Sequence, residues 1–115
     1  MISTNTLRSL RQKETLMAKI VFRQEAIDDL SDIWNYTIEK WSVEQADKYY
    51  FLIKSACRDL AKGKFRGKSY KEISSDVLGF NVGKHIIFYK HHDTGIFEVV
   101  RILHQSMDLN NRLTN

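Results

Sequence analysis

The sequence predicts an α+β domain over residues 19–104: an N-terminal strand, an antiparallel helical hairpin, then a three-stranded antiparallel meander with the hairpin packed on one sheet face. Three observations predict it. The apolar period changes from strand-like to helix-like at Gln24, and two helix-period stripes meet at a single capping signal. After Val77, three β-rich runs are joined by short glycine turns.

Ala18 to Arg23 holds the short β-branched run Ile20-Val21-Phe22 and reads as a strand. From Gln24, the residues Ile27, Leu30, Ile33, Trp34, Thr37, Ile38 and Trp41 recur at spacings of three and four, one apolar stripe on a helix. Asp28, Asp29 and Asp32 fall on its other faces, toward the positive end of the helix dipole. Ser42-Val43-Glu44-Gln45 matches a capping box, in which Ser42 accepts from the Gln45 amide and the Gln45 side chain reaches back. A second stripe follows in Ala46, Tyr49, Tyr50, Ile53, Cys57, Leu60 and Ala61, and Gly63 supplies the stop. Two amphipathic helices joined this tightly fold back on each other.

Lys64 to Asp76 is polar and basic, a connecting loop with room for a helical turn. Leu78-Gly79-Phe80-Asn81-Val82 is a strand, Gly83-Lys84 a tight turn, and His85 to Lys90 a second strand rich in β-formers. His92-Asp93-Thr94-Gly95 turns the chain into Ile96 to His104. Turns this short pair their strands antiparallel. Residues 1–16 are polar, and Met17-Ala18-Lys19-Ile20-Val21-Phe22 reads as the natural beginning of a domain. The expected organisation is therefore an extension over 1–16 and one domain over 17–115.

At 115 residues the chain suffices for one self-supporting domain. Its single cysteine, Cys57, excludes an internal disulfide and sits on a helix stripe, so it reads as a core residue in a reducing compartment. No apolar run reaches the ~18 residues that span a bilayer, and a cytoplasmic protein without membrane contact is expected. The net charge of +4 hides an asymmetry. Residues 24–61 carry eight acids against four bases, and residues 62–92 carry seven bases against Glu72 and Asp76. A basic stretch of this kind suits phosphates or an acidic partner, or is simply a solvated lysine surface.

Strict alternation in the last strand puts Phe97, Val99, Arg101 and Leu103 on one face and Glu98, Val100, Ile102 and His104 on the other. An arginine among apolar neighbours needs partners. It either pairs with a carboxylate from a helix or the C-terminal tail, with Asp108 a candidate, or waits on an open face for an anion. His85, His91, His92 and His104 lack the spacing of a metal site, and no metal or cofactor is expected. Neither a Gly-x-Ser-x-Gly turn nor a P-loop is present, and Asp28 and Asp32 read as an exposed acidic face. Metal-free RNA cleavage needs only a base, an acid and a cation for the phosphorane. Lys84, His85, Arg101 and His104 are the groups available for it.

The residues Ile20-Val21-Phe22, Glu25-Ala26-Ile27-Asp28-Asp29-Leu30, Ile33, Tyr36-Thr37, Trp41, Gln45-Ala46, Tyr49 and Leu60-Ala61 carry a further signal. Gly83 to Tyr89, Arg101-Ile102-Leu103-His104 and Met107-Asp108 continue it. In this order and spacing, from Lys19 to about Arg112, the chain resembles the RelE/ParE superfamily of bacterial toxins, and ParE more than RelE. Where ribonuclease relatives carry an arginine at the start of the strand leading to the aromatic, this sequence has His85 and Ile86. The tail Gln105-Ser106-Met107-Asp108-Leu109-Asn110-Asn111-Arg112 lacks a catalytic tyrosine, and Gln24 stands where many relatives have proline.

The resemblance implies the toxin of a type II toxin-antitoxin (plasmid stabilisation) system, inhibiting DNA gyrase by binding and neutralised by a ParD-like antitoxin in a hetero-oligomer. Implied target-binding residues are Lys84, Arg101, His104, Asp108, Arg66 and Lys68. Implied antitoxin-binding residues are Ile27, Leu30, Trp34, Tyr49, Tyr50 and Ile53. No catalytic residue is then expected. Two alternatives stand beside this reading. One is a RelE-like, ribosome-dependent mRNA endoribonuclease using Arg101, His104 and His85. The other is an inactive relative that only binds its antitoxin.

Overall fold

The computed structural model describes residues 19–71 and 74–107; residues 1–18 and Asp108 lie outside the described residues. The elements are β1 (Lys19–Phe22), α1 (Gln24–Lys40), α2 (Val43–Ala61), β2 (Lys68–Ser69), β3 (Leu78–Val82), β4 (His85–His91) and β5 (Ile96–His104). They form an α+β fold in which the α1–α2 hairpin covers a five-stranded sheet of order β1-β5-β4-β3-β2. The meander β3-β4-β5 is antiparallel, as its turns dictate.

Two strands depart from the sequence expectation. β1 pairs with β5 in parallel, Ile20 opposite Phe97, so the sheet is mixed. A parallel neighbour needs a crossover of a dozen residues or more, and no turn signal announces it. β2 lies inside the expected loop and adds a two-residue antiparallel rung, Lys68 opposite Gly79, on the far edge.

The hairpin rests on specific ends. Ser42 Oγ accepts from the Gln45 amide at 3.1 Å, the predicted cap. The reciprocal arm from the Gln45 side chain does not form, and Gln45 lines a cleft. At the end of α2 the amides of Gly63 and Lys64 return to the carbonyls of Leu60 and Asp59, a Schellman closure.

The main core lies between hairpin and sheet. Ala26, Leu30, Ile53, Cys57 and Leu60 pack on Val82, Ile87, Tyr89, Phe97, Val99 and Ile102. A second cluster, Val77, Ile86, Phe88, Val100 and Leu103, occupies the opposite sheet face under Tyr70. Hence Ile86 to Tyr89 is buried without interruption.

The strict alternation predicted for the last strand is broken by a β-bulge. Phe88 pairs with Arg101 and Tyr89 with Val99, leaving Val100 as the extra residue. Phe97, Val99 and Ile102 therefore share the helix-side core, while Val100 and Leu103 join the other cluster. The α1 stripe is corrected as well. Asp29 is buried, whereas Ile27 and Trp41 are 43% and 73% exposed. Ala26, Asp29, Leu30 and Ile33 make the face that meets the sheet, and the far end of α1 overhangs it.

Candidate functional site

Asp29 earns its burial where β1 ends. β1 pairs with β5 only as far as Val99, and the Arg23 amide donates to the Val99 carbonyl at 2.9 Å as the chain enters α1. One turn into the helix, Asp29 Oδ2 accepts from the Ile102 amide at 2.9 Å, taking up the strand edge that β1 leaves open. The same carboxylate receives Arg101 in a fork, Nε to Oδ2 and Nη2 to Oδ1, both at 2.8 Å. The hydrogen bond to Asp29 raises the Arg101 pKa further, against the opposing effect of burial. Of the two readings open for Arg101, the ion pair is the one formed, and its partner comes from helix α1.

Beyond this clamp the overhanging end of α1, the start of α2, the β3–β4 turn and the end of β5 enclose a cleft of about 860 Å³. Ile33, Tyr36, Trp41 and Met107 give it apolar walls, and Lys40, Lys84, His85 and His104 give it polar groups. Tyr49, reaching across from α2, organises the floor. Its hydroxyl lies 2.6 Å from His85 Nδ1, accepts from the Lys84 amide at 3.1 Å and approaches the Val82 carbonyl at 3.2 Å. The single phenolic proton serves either His85 or Val82. Gly83 makes this approach possible, because at φ +57° a Cβ there would sit 2.7 Å from the Tyr49 ring.

Burial, helped by the neighbouring His104, pushes the His85 pKa down to about 4, so this imidazole is neutral at pH 7. The His85 and His104 rings stand edge to face, 5.3 Å between centroids. His104 Nδ1 accepts from the Ser106 amide at 3.1 Å, which makes Nε2 the donor side of a ring that lines the cleft. Desolvation likewise raises the Tyr49 pKa. The floor therefore offers neutral donors and acceptors, with positive charge supplied from the rim.

A second groove of about 470 Å³ lies on the opposite face of α1. Phe22, Ile27, Leu30, Trp34, Tyr50 and Lys54 line it. Trp34 and Tyr50 meet edge to face at 6.1 Å, and the Lys54 ammonium sits 4.5 Å above the Phe22 ring.

The residues picked from sequence fall into separate places. Lys84, His85 and His104 come together in the large cleft, with Tyr49 beneath them. Arg101 lies in the clamp, Arg66 and Lys68 are exposed at the far sheet edge, and Asp108 is outside the described residues. Ile27, Leu30, Trp34 and Tyr50 share the groove, while Ile53 is wholly buried in the core. Sequence reasoning missed Asp29, although its place between Ala26 and Leu30 on the buried face was readable. Tyr36 and Met107 counted in sequence only toward the family resemblance, and their place as cleft walls was not foreseen.

A family model described as the ParE toxin of the type II toxin-antitoxin system parDE matches residues 20–109. Toxin ParE1 of Mycobacterium tuberculosis is 33% identical over 84 residues, covering 73% of this chain and 86% of that protein. Toxin ParE1 of Caulobacter vibrioides is 32% identical over 81 residues, covering 70% of this chain and 81% of its own length. Among solved structures, a chain of the chromosomal ParDE TA system from P. aeruginosa superposes with a TM-score of 0.66 at 16% identity. That superposition covers 77% of this chain and 97% of the other.

Proposed function

We propose, from the premise that this chain belongs to the ParE toxin family of type II toxin-antitoxin systems, that it acts by binding DNA gyrase and is silenced by a ParD-like antitoxin. One observation carries the preference for binding over bond-making. The cation best suited to a developing phosphorane, Arg101, is forked onto Asp29 rather than turned into the histidine cleft. The target face of this reading is the cleft rim at Lys84 and His104, with Asp108, and the basic far edge at Arg66 and Lys68. Arg101 acts there by holding β5 in place.

The antitoxin seat is the groove of Ile27, Trp34 and Tyr50, floored by Leu30. An exposed Ile27 and Tyr50 beside a half-buried Trp34 suit the apolar face of an amphipathic partner segment. Of the other two residues expected at this seat, Ile53 lies in the core and Tyr49 in the large cleft, so the seat is drawn without them. The reading also takes residues 1–16 as an extension, residues 17–115 as the toxin domain, and the cytoplasm as its compartment. Purified gyrase should lose supercoiling activity as the toxin is titrated in and regain it with the antitoxin. Undiminished supercoiling at excess toxin, in a preparation that arrests growth, removes gyrase as the target.

One arrangement favours a second reading, a RelE-like mRNA endoribonuclease. Neutral His85 shares one cleft with His104 and Lys84, groups that could serve as base, acid and cation at close quarters. Transcripts on ribosomes should then be cut, and His104→Ala should abolish the cuts. Intact transcripts, together with unimpaired gyrase and no growth arrest, leave an inactive relative that only binds its antitoxin.

A further inference from the structure

The ten residues that leave α2 contain five cations, Lys62, Lys64, Arg66, Lys68 and Lys71, and no acid. All five are exposed, and none enters an ion pair among the described residues. The lysines alone would make a solvated loop, but Phe65 stands in the middle of them 46% exposed. An aromatic ring left half in water is held there against its transfer free energy. Its placement is not loose. One face of Phe65 lies on Phe80 of β3, centroids 5.6 Å apart and planes within 16°.

The loop on both sides of Phe65 is fixed. Upstream, the Lys64 amide closes on the Asp59 carbonyl at 2.9 Å. Downstream, the Gly67 amide donates to the Tyr89 hydroxyl at 2.7 Å. Gly67 also runs so close to β3 that a Cβ there would lie 2.7 Å from the Gly79 carbonyl oxygen. A pre-positioned ring, stacked on one side and open on the other, flanked in sequence by Lys64 and Arg66, has the chemistry of a base-stacking platform on a phosphate-binding edge.

We infer that the β2 edge of this chain binds single-stranded polynucleotide directly, a base continuing the Phe80–Phe65 stack while the five cations follow the phosphates. An unpaired strand is required because a base inside a duplex has no free face to offer the ring. An acidic protein surface would satisfy the cations but gives the half-exposed ring nothing to do. The edge shares Arg66 and Lys68 with the target face proposed above. The inference nevertheless concerns the purified chain without gyrase, ribosome or antitoxin, so either can fail alone.

The test is fluorescence anisotropy of the full chain with labelled oligo(dT) and oligo(U) of about 12 nucleotides, within the usual site size. Affinity should fall with salt with a log–log slope of about −3.5 if all five cations meet phosphates, and Lys64→Gln and Arg66→Gln should each remove about 0.7 from it. Phe65→Ala should weaken binding by roughly 5- to 150-fold with the slope unchanged, and Phe65→Trp should retain it. Both charge variants lie on exposed side chains, so they read out the site even where Phe65→Ala loosens the fold. Tighter binding of one strand chemistry would identify the natural source as DNA or RNA, the platform standing in either case. No binding at about 50 mM salt overturns the inference. So does equal binding of a duplex, or full competition by poly-glutamate, when Phe65→Ala is without effect.

Discussion

Two arginines tie β5 to the chain around α1, and they do it with different force. Arg101 and Asp29 meet at 2.8 Å through two parallel bonds, with side chains 19% and 11% exposed. Arg23 and Glu98, at the other end of the same strand, meet at 3.2 Å and are 38% and 22% exposed. Asp29 has a third donor in the Ile102 amide, whereas Glu98 shares its other oxygen with His92 at 3.0 Å. The same pair of functional groups is a structural bolt in one place and a solvated fastening in the other. What separates them is the water available to compete.

The comparison breaks most visibly at Asp29. Asp29→Ala removes the forked acceptor of a nearly buried guanidinium and the acceptor of the Ile102 amide, and should cost about 3–5 kcal/mol in urea unfolding. Restoring much of that loss with Arg101→Leu in the same chain would trace it to the Arg101 charge rather than to a cavity. A loss below about 1 kcal/mol would put this pair in the class of Arg23 and Glu98.

A smaller effect comes from pH. His85 titrates near 6.5 when unfolded and about 4 when folded, so between those values the unfolded chain binds more protons. Stability should therefore fall as pH drops from about 6.5 toward 4, by roughly 1–2 kcal/mol after allowing for solvent screening of a half-open site. His85→Gln should flatten that slope; a slope that survives the substitution assigns it elsewhere. Glu98 titrates below its ordinary range, because bonds from His92 and Arg23 outweigh the opposing effect of burial. Its contribution is present above the ordinary carboxylate pKa and disappears as pH falls through the lowered one.

The smallest effect is expected at Arg23 itself. Arg23→Ala should cost no more than about 1 kcal/mol, less in high salt, since this pair is open to counterions. A loss as large as that of Asp29→Ala, insensitive to salt, would erase the distinction between the two ends of β5.

This contrast also marks what could be read before the structure. The hairpin was legible because Ala46, Ile53, Cys57 and Leu60 repeat at helical spacing and Ser42 caps them with its own hydroxyl. The meander was legible because Gly83 and Gly95 mark its turns. The parallel seat of β1 was not, since it depends on chain returning after both helices. Nor was the Val100 bulge, since one extra residue leaves composition untouched while inverting which side chains face the core. The candidate site suffered from that inversion. Arg101 was singled out correctly as needing a partner, but its partner sits 72 positions away on α1. Lys84, His85 and His104 were gathered from sequence as available groups, and a shared turn and strand end do bring them together. Tyr36 and Trp41 join them only through the packing of the hairpin, and Met107 through the turn that follows β5.

Cys57 offers a different kind of access to the molecule. It is the chain's one thiol, 1% exposed within the helix–sheet core, and burial pushes its pKa up to about 12. Thiolate is what alkylating reagents attack, so at neutral pH this sulfur is silent until hairpin and sheet part. The native toxin thus carries its own clock for opening. The rate at which an added reagent captures Cys57 counts the excursions of the core, without a probe being introduced and without disturbing either groove.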